Sequence, residues 1–268
     1  MYEQVNKGAR MLVKQAANVL DLLEYFARTG QPASLAEVSA HFGWPRSSTF
    51  NLIQTLVERG FLYEPRPRGG FYPTGRWLAL AQDIAAAEPL PPAALALIRD
   101  LAEVSGETAW IAAASGQHAV LLSVIQSAHA IRYTADPGKR VPLHATASGQ
   151  AIMSQMTPSQ RAVVLRKAVF ERFGDGTPMS VAEVEDSISA ALRRGWFRSA
   201  SAYSRDLGGV SVPLNLGGRI FSATVAGPLF RVEQRMNDTA AEVHRAVARH
   251  FGPGYFRQQV PNLHRLAE

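Results

Sequence analysis

The sequence predicts an α+β protein in two parts, an N-terminal winged helix-turn-helix and a C-terminal antiparallel sheet with helices, joined by a linker helix. Three observations predict it. The 268 residues exceed the ~150 typical of one domain. The first 76 are punctuated into helix, short helix, helix and two short strands. From residue 92 onward strands follow strands and helices follow helices, without the alternation that builds a parallel sheet.

The first helix is expected from Val13 to Arg28, because Ala16, Leu20, Leu23 and Ala27 recur at helical spacing and Gly30 and Pro32 end the pattern. Ser34 stands three residues before Glu37, a capping-box signature. The short second helix then turns Leu35, Val38 and Phe42 to one side and closes at Gly43. Pro45 suits the first position of a third helix, where a missing N–H is harmless. Thr49, Leu52, Ile53 and Leu56 form its inner face, while Arg46, Ser47, Ser48, Phe50, Asn51 and Gln54 fall elsewhere. Gly60 stops it, and residues 61–63 and 70–72 read as strands around a turn-rich tip carrying Arg66 and Arg68.

Residues 77–87 favour a helix, closed by Pro89, Pro91 and Pro92. The domains are therefore expected at 1–76, with a linker at 77–91 and a larger domain at 92–268. In the latter, Leu97, Ile98, Leu101 and Val104 share a face of a helix over 92–105. Strands are expected at 108–114, 119–125 and 130–134, then helices at 145–156, 158–167 and 181–194. Strands at 197–203, 209–214 and 219–226 and a final helix at 233–251 complete the domain.

Composition narrows the function classes. Without cysteine there is no disulfide framework, thiolate nucleophile, zinc finger or iron–sulfur cluster, and a reducing cytoplasm is the expected location. No apolar run reaches the roughly 18 residues of a membrane span, and residues 1–10 lack the pattern of a secretion signal. The net charge of +6 is uninformative as a sum. Residues 1–76 carry nine basic and six acidic residues, whereas the other 192 carry 19 and 16. The same +3 sits on less than half the length, the footprint of a phosphate-binding surface or of a solvated basic face.

A third helix packed on two others leaves its far face free for a major groove about 12 Å wide. Asn51 and Gln54 could pair bidentately with adenine, Arg46 with guanine or phosphate, and Ser47 and Ser48 with phosphate. Arg66 and Arg68 would track the backbone or minor groove. Winged helices of this type pair on double-stranded DNA, with half-sites about one turn, ~34 Å, apart, so a palindromic operator is expected.

The segment Trp44–Leu62 (WPRSSTFNLIQTLVERGFL) resembles the recognition helix of the IclR family of transcription factors. Residues 141–151, 194–197, 209–214 and 222–228 are similar, in order and spacing, to segments of that family's effector-binding domain. The resemblance implies a GAF-like sheet, a pocket for a small organic acid and a homodimer or homotetramer. Phe50 and Asn51 depart from it, standing where the family often has His or Tyr followed by Arg. By the same resemblance the pocket takes Leu143, Ala145, Thr146, Ser148, Ser199, Gly209, Ser211, Thr224 and Ala226. Ser199 and Gly209 replace an acidic residue and a frequent cysteine, which implies a roomier pocket suited to an aromatic or longer acid.

From the residues alone, free amides where a helix opens near Ala145 and Thr146 would favour a carboxylate, although routine capping explains Thr146 equally well. Trp110 is either pocket lining or core. No metal-binding, nucleophile-elbow, Walker or dinucleotide motif is present, so no cofactor and no metal site is expected. Two other readings stay open: an enzyme acting on a small acid with an accessory DNA-binding domain, and a structural nucleoid protein without effector.

Overall fold

The computed structural model describes residues 13–87 and 90–263. The N-terminal decapeptide and Pro89, both used above, lie outside the described residues. The chain divides into two compact units, Met1–Pro89 and Leu90–Glu268.

In the first unit α1 (Lys14–Thr29) ends where Gly30 takes a left-handed conformation and donates its N–H to the Phe26 carbonyl. Its buried residues are Leu22 and Phe26, with Val19 partly covered. The expected stripe through Ala16, Leu20, Leu23 and Ala27 is displaced by one position, and Leu20 is 62% exposed. Two stripes of equal period run along this helix, and the one bearing Phe26 faces Val38, Ile53, Leu56 and Leu62. α2 (Leu35–Phe42) carries the capping box in full: the Ser34 hydroxyl accepts from the Glu37 N–H, and the Ser34 N–H donates to the Glu37 carboxylate at 2.8 Å. That bond, aided by the Ser34 hydroxyl, holds the Glu37 carboxyl below its ordinary value.

α3 (Arg46–Glu58) starts one residue later than expected, with Pro45 as its cap, and buries Thr49, Ile53 and Leu56. The wing is β1 (Leu62–Tyr63) against β2 (Tyr72–Pro73), antiparallel, with Tyr63 opposite Tyr72. α4 (Arg76–Ala87) buries none of its residues; Leu78, Leu80 and Ile84 are exposed. Its first turn is tied down by Trp77, whose indole N–H donates to the Phe61 carbonyl at 2.9 Å.

The second unit begins with α5 (Pro92–Ser105), followed by β3 (Thr108–Ser115), β4 (His118–Ile125) and β5 (Arg140–Pro142). α6 (Ala147–Met153), α7 (Pro158–Arg166) and α8 (Val181–Arg194) precede β6 (Phe197–Ala200), β7 (Leu207–Leu216) and β8 (Arg219–Pro228). α9 (Leu229–Val232), one 3-10 turn, α10 (Met236–Phe251) and α11 (Tyr255–Gln259) close it. The six strands form one antiparallel sheet in the order β5-β4-β3-β8-β7-β6. α5 and α10 pack together and on the sheet, α6 packs on β6, β7 and β8, and α8 covers α6. Val104, expected on the buried side of α5, is 48% exposed, because Ala94, Leu97, Ile98, Leu101 and Ala102 face the core instead.

The strand expected at 130–134 does not form. The edge is taken by β5, whose Val141 pairs with Ala119. Residues 126–139 form a loop in which the carbonyls of Ile131, Tyr133 and Ala135 are bound by side chains. Thr108 Oγ1 donates to the Tyr133 carbonyl at 2.6 Å, Gln126 Nε2 to that of Ala135 at 3.3 Å, and Arg231 Nη2 to that of Ile131 at 3.0 Å. Carbonyls held in this way are not free to accept from a neighbouring strand.

Candidate functional site

In the first unit the residues expected to meet nucleic acid are Arg46, Ser47, Ser48, Phe50, Asn51, Gln54, Arg66 and Arg68, and all are exposed. On α3, Ser47, Asn51 and Gln54 lie away from its buried Thr49, Ile53 and Leu56, Ser48 and Phe50 lie on the flanks, and Arg46 opens the helix on the side of Ile53. Gln54 Nε2 donates to Glu58 Oε1 one turn on, at 3.3 Å. At the wing tip Arg68 has φ of +61° and donates its N–H to the Glu64 carboxylate at 2.6 Å, so the turn is fixed by its own residues. A groove of about 530 Å³ between α1 and α3 is lined by Lys14, Gln15, Asn18, Ser48, Asn51 and Thr55, among others. Sequence reasoning passed over Lys14, Gln15 and Asn18, which carry no motif and become neighbours of α3 only through packing.

In the second unit, strand register gathers the other set. Ser199, Gly209 and Ala226 stand opposite one another across β6, β7 and β8, and Ser211, Thr224 and Trp110 form the next row across β7, β8 and β3. Side chains two apart along a strand share a face, so both rows point the same way. α6 lies over them. Its cap Thr146 accepts from the Gly149 N–H at 3.0 Å and donates to the Pro142 carbonyl at 2.9 Å, so that hydroxyl is committed to capping. A methyl group on Gly149 would meet the Leu143 carbonyl oxygen, so this glycine lets the chain fold back tightly where it enters α6. Ser148 Oγ meets Ser222 Oγ at 2.6 Å and accepts from the Trp110 indole N–H at 3.3 Å.

A cavity lies between α6 and the sheet, lined by Thr146, Ser148, Ser199, Gly209, Thr224 and Ala226 of the expected set. Leu143 and Ala145 are buried off it, and Ser211 lies behind Thr224, bonded to its hydroxyl at 2.8 Å. The expected helix start near Ala145 moves to Ala147, with Thr146 as cap. Trp110, Tyr133 and Tyr203 complete the wall together with Val141, Ala147, Leu207 and Gly208. Both tyrosines were missed in the sequence, because each was assigned to a strand that in the structure is loop.

Among the described residues no charged side chain lines this cavity. Burial pushes the Tyr133 hydroxyl up to about 12 and raises that of Tyr203, so both remain donors at neutral pH. Lys139 rests on the Tyr133 ring, 4.7 Å from its centre. The space left is about 30 Å³, room for about two waters, so a ring-sized ligand must push part of this wall outward. The extra room expected at Gly209 is not there. A methyl group on it would stand 2.8 Å from Ala226 Cβ and 2.9 Å from the Val225 carbonyl oxygen, so this glycine serves the close approach of β7 and β8. Among the described residues no group of three or more His, Asp or Glu side chains could hold a metal ion, and no helix is long and apolar enough to cross a membrane.

A winged helix-turn-helix with a polar, exposed third helix, on one chain with an α+β unit enclosing a hydroxyl-lined cavity, has the build of a transcriptional regulator that senses a small molecule. Residues 15–66 match the IclR helix-turn-helix domain, and residues 85–251 match the C-terminal domain of the bacterial transcriptional regulator IclR. The chain belongs to the IclR family. It is 24% identical over 186 residues to the transcriptional repressor IclR of Escherichia coli K12, covering 69% of this chain and 68% of that one. The crystal structure of Thermotoga maritima IclR superposes with a TM-score of 0.70 at 16% identity, over 90% of this chain and all of the other. An IclR homologue from Microbacterium hydrocarbonoxydans, solved with 4-hydroxybenzoate, gives a TM-score of 0.63 at 22% identity, over 87% and 98%. The family consists of transcriptional regulators, and the alternative of an enzyme falls with that membership.

Proposed function

We propose that this regulator binds a palindromic operator in double-stranded DNA as a homodimer, or as a homotetramer of two such dimers, in the cytoplasm. A small organic acid bound between α6 and the sheet would change its operator affinity. The observation that carries the ligand class is the cavity wall: three rings, Trp110, Tyr133 and Tyr203, with the hydroxyls of Ser148 and Thr224 and no charge. Such a wall favours an aromatic acid, whose ring packs on rings and whose carboxylate accepts from hydroxyls. The homologue solved with 4-hydroxybenzoate supports that class. The exposed Leu80 and Ile84, one turn apart on α4, support self-association, since an apolar face left open on a helix calls for a partner. Arg46, Ser47, Ser48, Asn51 and Gln54 would enter the major groove. Arg66, Arg68, Lys14, Gln15 and Asn18 would hold the backbone.

The acid changes operator affinity only by binding the two functional states unequally. A thermal-shift series on the full-length protein with aromatic, keto and dicarboxylic acids tests the reading. An aromatic acid at 100 times its Kd should stabilise the second unit by about 2.7 kcal/mol, without being consumed. Failure of every acid to shift the transition would refute the effector. Absence of any protected sequence in its own upstream region, at low salt, would refute the operator.

A further inference from the structure

We propose that Phe50 reads the methyl group of a thymine in the major groove, so that each half-site carries an obligatory T·A pair within reach of the α3 stripe. This inference rests on the operator-binding role proposed above. Ser47, Phe50, Asn51, Gln54 and Glu58 follow one another at helical spacing and all are exposed, so they form one stripe opposite the buried Thr49, Ile53 and Leu56. Phe50 is 53% exposed at one edge of that stripe, one turn from Ser47 and from Gln54, with Ile53 and Val57 on its other flank. The fold does not require an aromatic ring there: the unit's core is closed by Leu22, Phe26, Val38, Ile53, Leu56 and Leu62 without it.

The stripe's other members match what base edges offer. Asn51 and Gln54 are the side chains that pair with the N6 and N7 edge of adenine, and the bond from Gln54 to Glu58 holds one amide against the helix. Among the four bases the one apolar feature displayed in the major groove is the C5-methyl of thymine, and phenylalanine is a residue type that contacts it. An exposed ring beside the amides of Asn51 and Gln54, at a position the core does not use, is complementary to a groove where methyl groups adjoin adenine edges.

The test works on an operator of any sequence. Full-length protein selects sites from a random duplex pool, and each dT of the recovered site is then replaced singly by dU, which deletes only the methyl. We expect one dT per half-site at which dU weakens binding about fourfold, the factor given by ~0.8 kcal/mol for one buried methyl-sized group. Phe50→Ala should bind the dT and dU versions equally, and Asn51→Ala should keep the dU effect while losing preference at a different base pair. Because Phe50 is exposed, its replacement by Ala should leave the melting temperature unchanged.

Selection of a site in which no dU replacement matters, or a dU effect that survives in Phe50→Ala, would overturn the assignment. Equal loss of affinity for every sequence in Phe50→Ala, with no dU sensitivity, would make the ring a protein–protein contact and overturn it too. Recovery of no sequence at all would remove the operator-binding role itself, and this inference with it.

Discussion

Arg231→Met removes the cation that faces the carboxylate of Glu107. That carboxylate is 5% exposed, and Arg231 is 24% exposed. The pair is bidentate, with Arg231 Nε on Oε1 and Nη2 on Oε2 at 2.9 Å, and it raises the arginine's already high pKa. The carboxylate is pressed against β8, since a methyl group on Gly227 would stand 2.2 Å from its Oε2. Removing one partner of a buried pair costs about 3 to 5 kcal/mol, because the other charge stays behind uncompensated. With a quarter of Arg231 in water, solvent reaches the stranded carboxylate and roughly 2 to 3 kcal/mol is the expected loss. In a unit of this size that lowers its melting temperature by about 4 to 12 °C in calorimetry of the full chain. Glu107→Gln should cost less, roughly 1 kcal/mol, as the amide oxygen still accepts. The double variant is decisive. If the loss comes from a stranded charge, adding Glu107→Gln to Arg231→Met must recover stability. A double variant less stable than Arg231→Met, or an Arg231→Met protein as stable as wild type, would refute the reasoning. The 126–139 loop should also exchange its amide hydrogens faster, since the Ile131 carbonyl loses its donor.

On DNA, Asn51→Ala should relax preference at one base pair at a cost of ~1 to 3 kcal/mol, whereas Arg66→Ala should weaken all sequences alike and reduce the salt slope by about one. Identical behaviour of the two, in binding titrations at several salt concentrations, would count against the division of roles. Gly209→Cys should destabilise the second unit by about 1 to 3 kcal/mol in denaturant titration, by forcing β7 from β8; an unchanged midpoint would show that the sheet yields freely there. His144 and His244 are held below the ordinary imidazole value of 6.5 by burial, opposed at His244 by its bond to the Gly195 carbonyl. The unfolded chain therefore binds protons first as pH falls, and the stability these groups contribute is complete above about 6.5 and lost below it. The second unit's melting temperature should drop between pH 7.5 and 5, and His144→Leu should make that drop shallower.

Most of the first unit could be read from punctuation. The capping box at Ser34 and Glu37, the glycines at 30 and 43 and the inner face of α3 are local signals, and the structure has each of them. The burial of α1 could not be read, because period alone does not choose between the stripes through Leu20 and through Leu22. In the second unit the missing strand at 130–134 shows the limit. Whether Tyr133 joins a ladder depends on Thr108 and Arg231, 25 and 98 positions away, offering donors to its neighbourhood. The expected cavity residues on β6 to β8 came from the family resemblance, and strand register explains why so scattered a set converges. Gly209 was misread for a related reason: a small side chain marks either empty space or a close neighbour, and only the position of Ala226 decides.

The two rows, Ser199, Gly209 and Ala226 and then Ser211, Thr224 and Trp110, occupy every second position of their strands. Between and beyond them, on the opposite face, stand Val210, Val225, Val212 and Ala223, which are buried in the core. On the function proposed above, ligand choice and fold stability would be written on alternate letters of the same short text. A lineage could rewrite Ser199, Thr224 or Trp110 to follow a new compound while leaving the intervening valines untouched. The pleat supplies two nearly independent channels for mutation, and Gly209, hemmed in by its neighbour strand, is the letter at which they interfere.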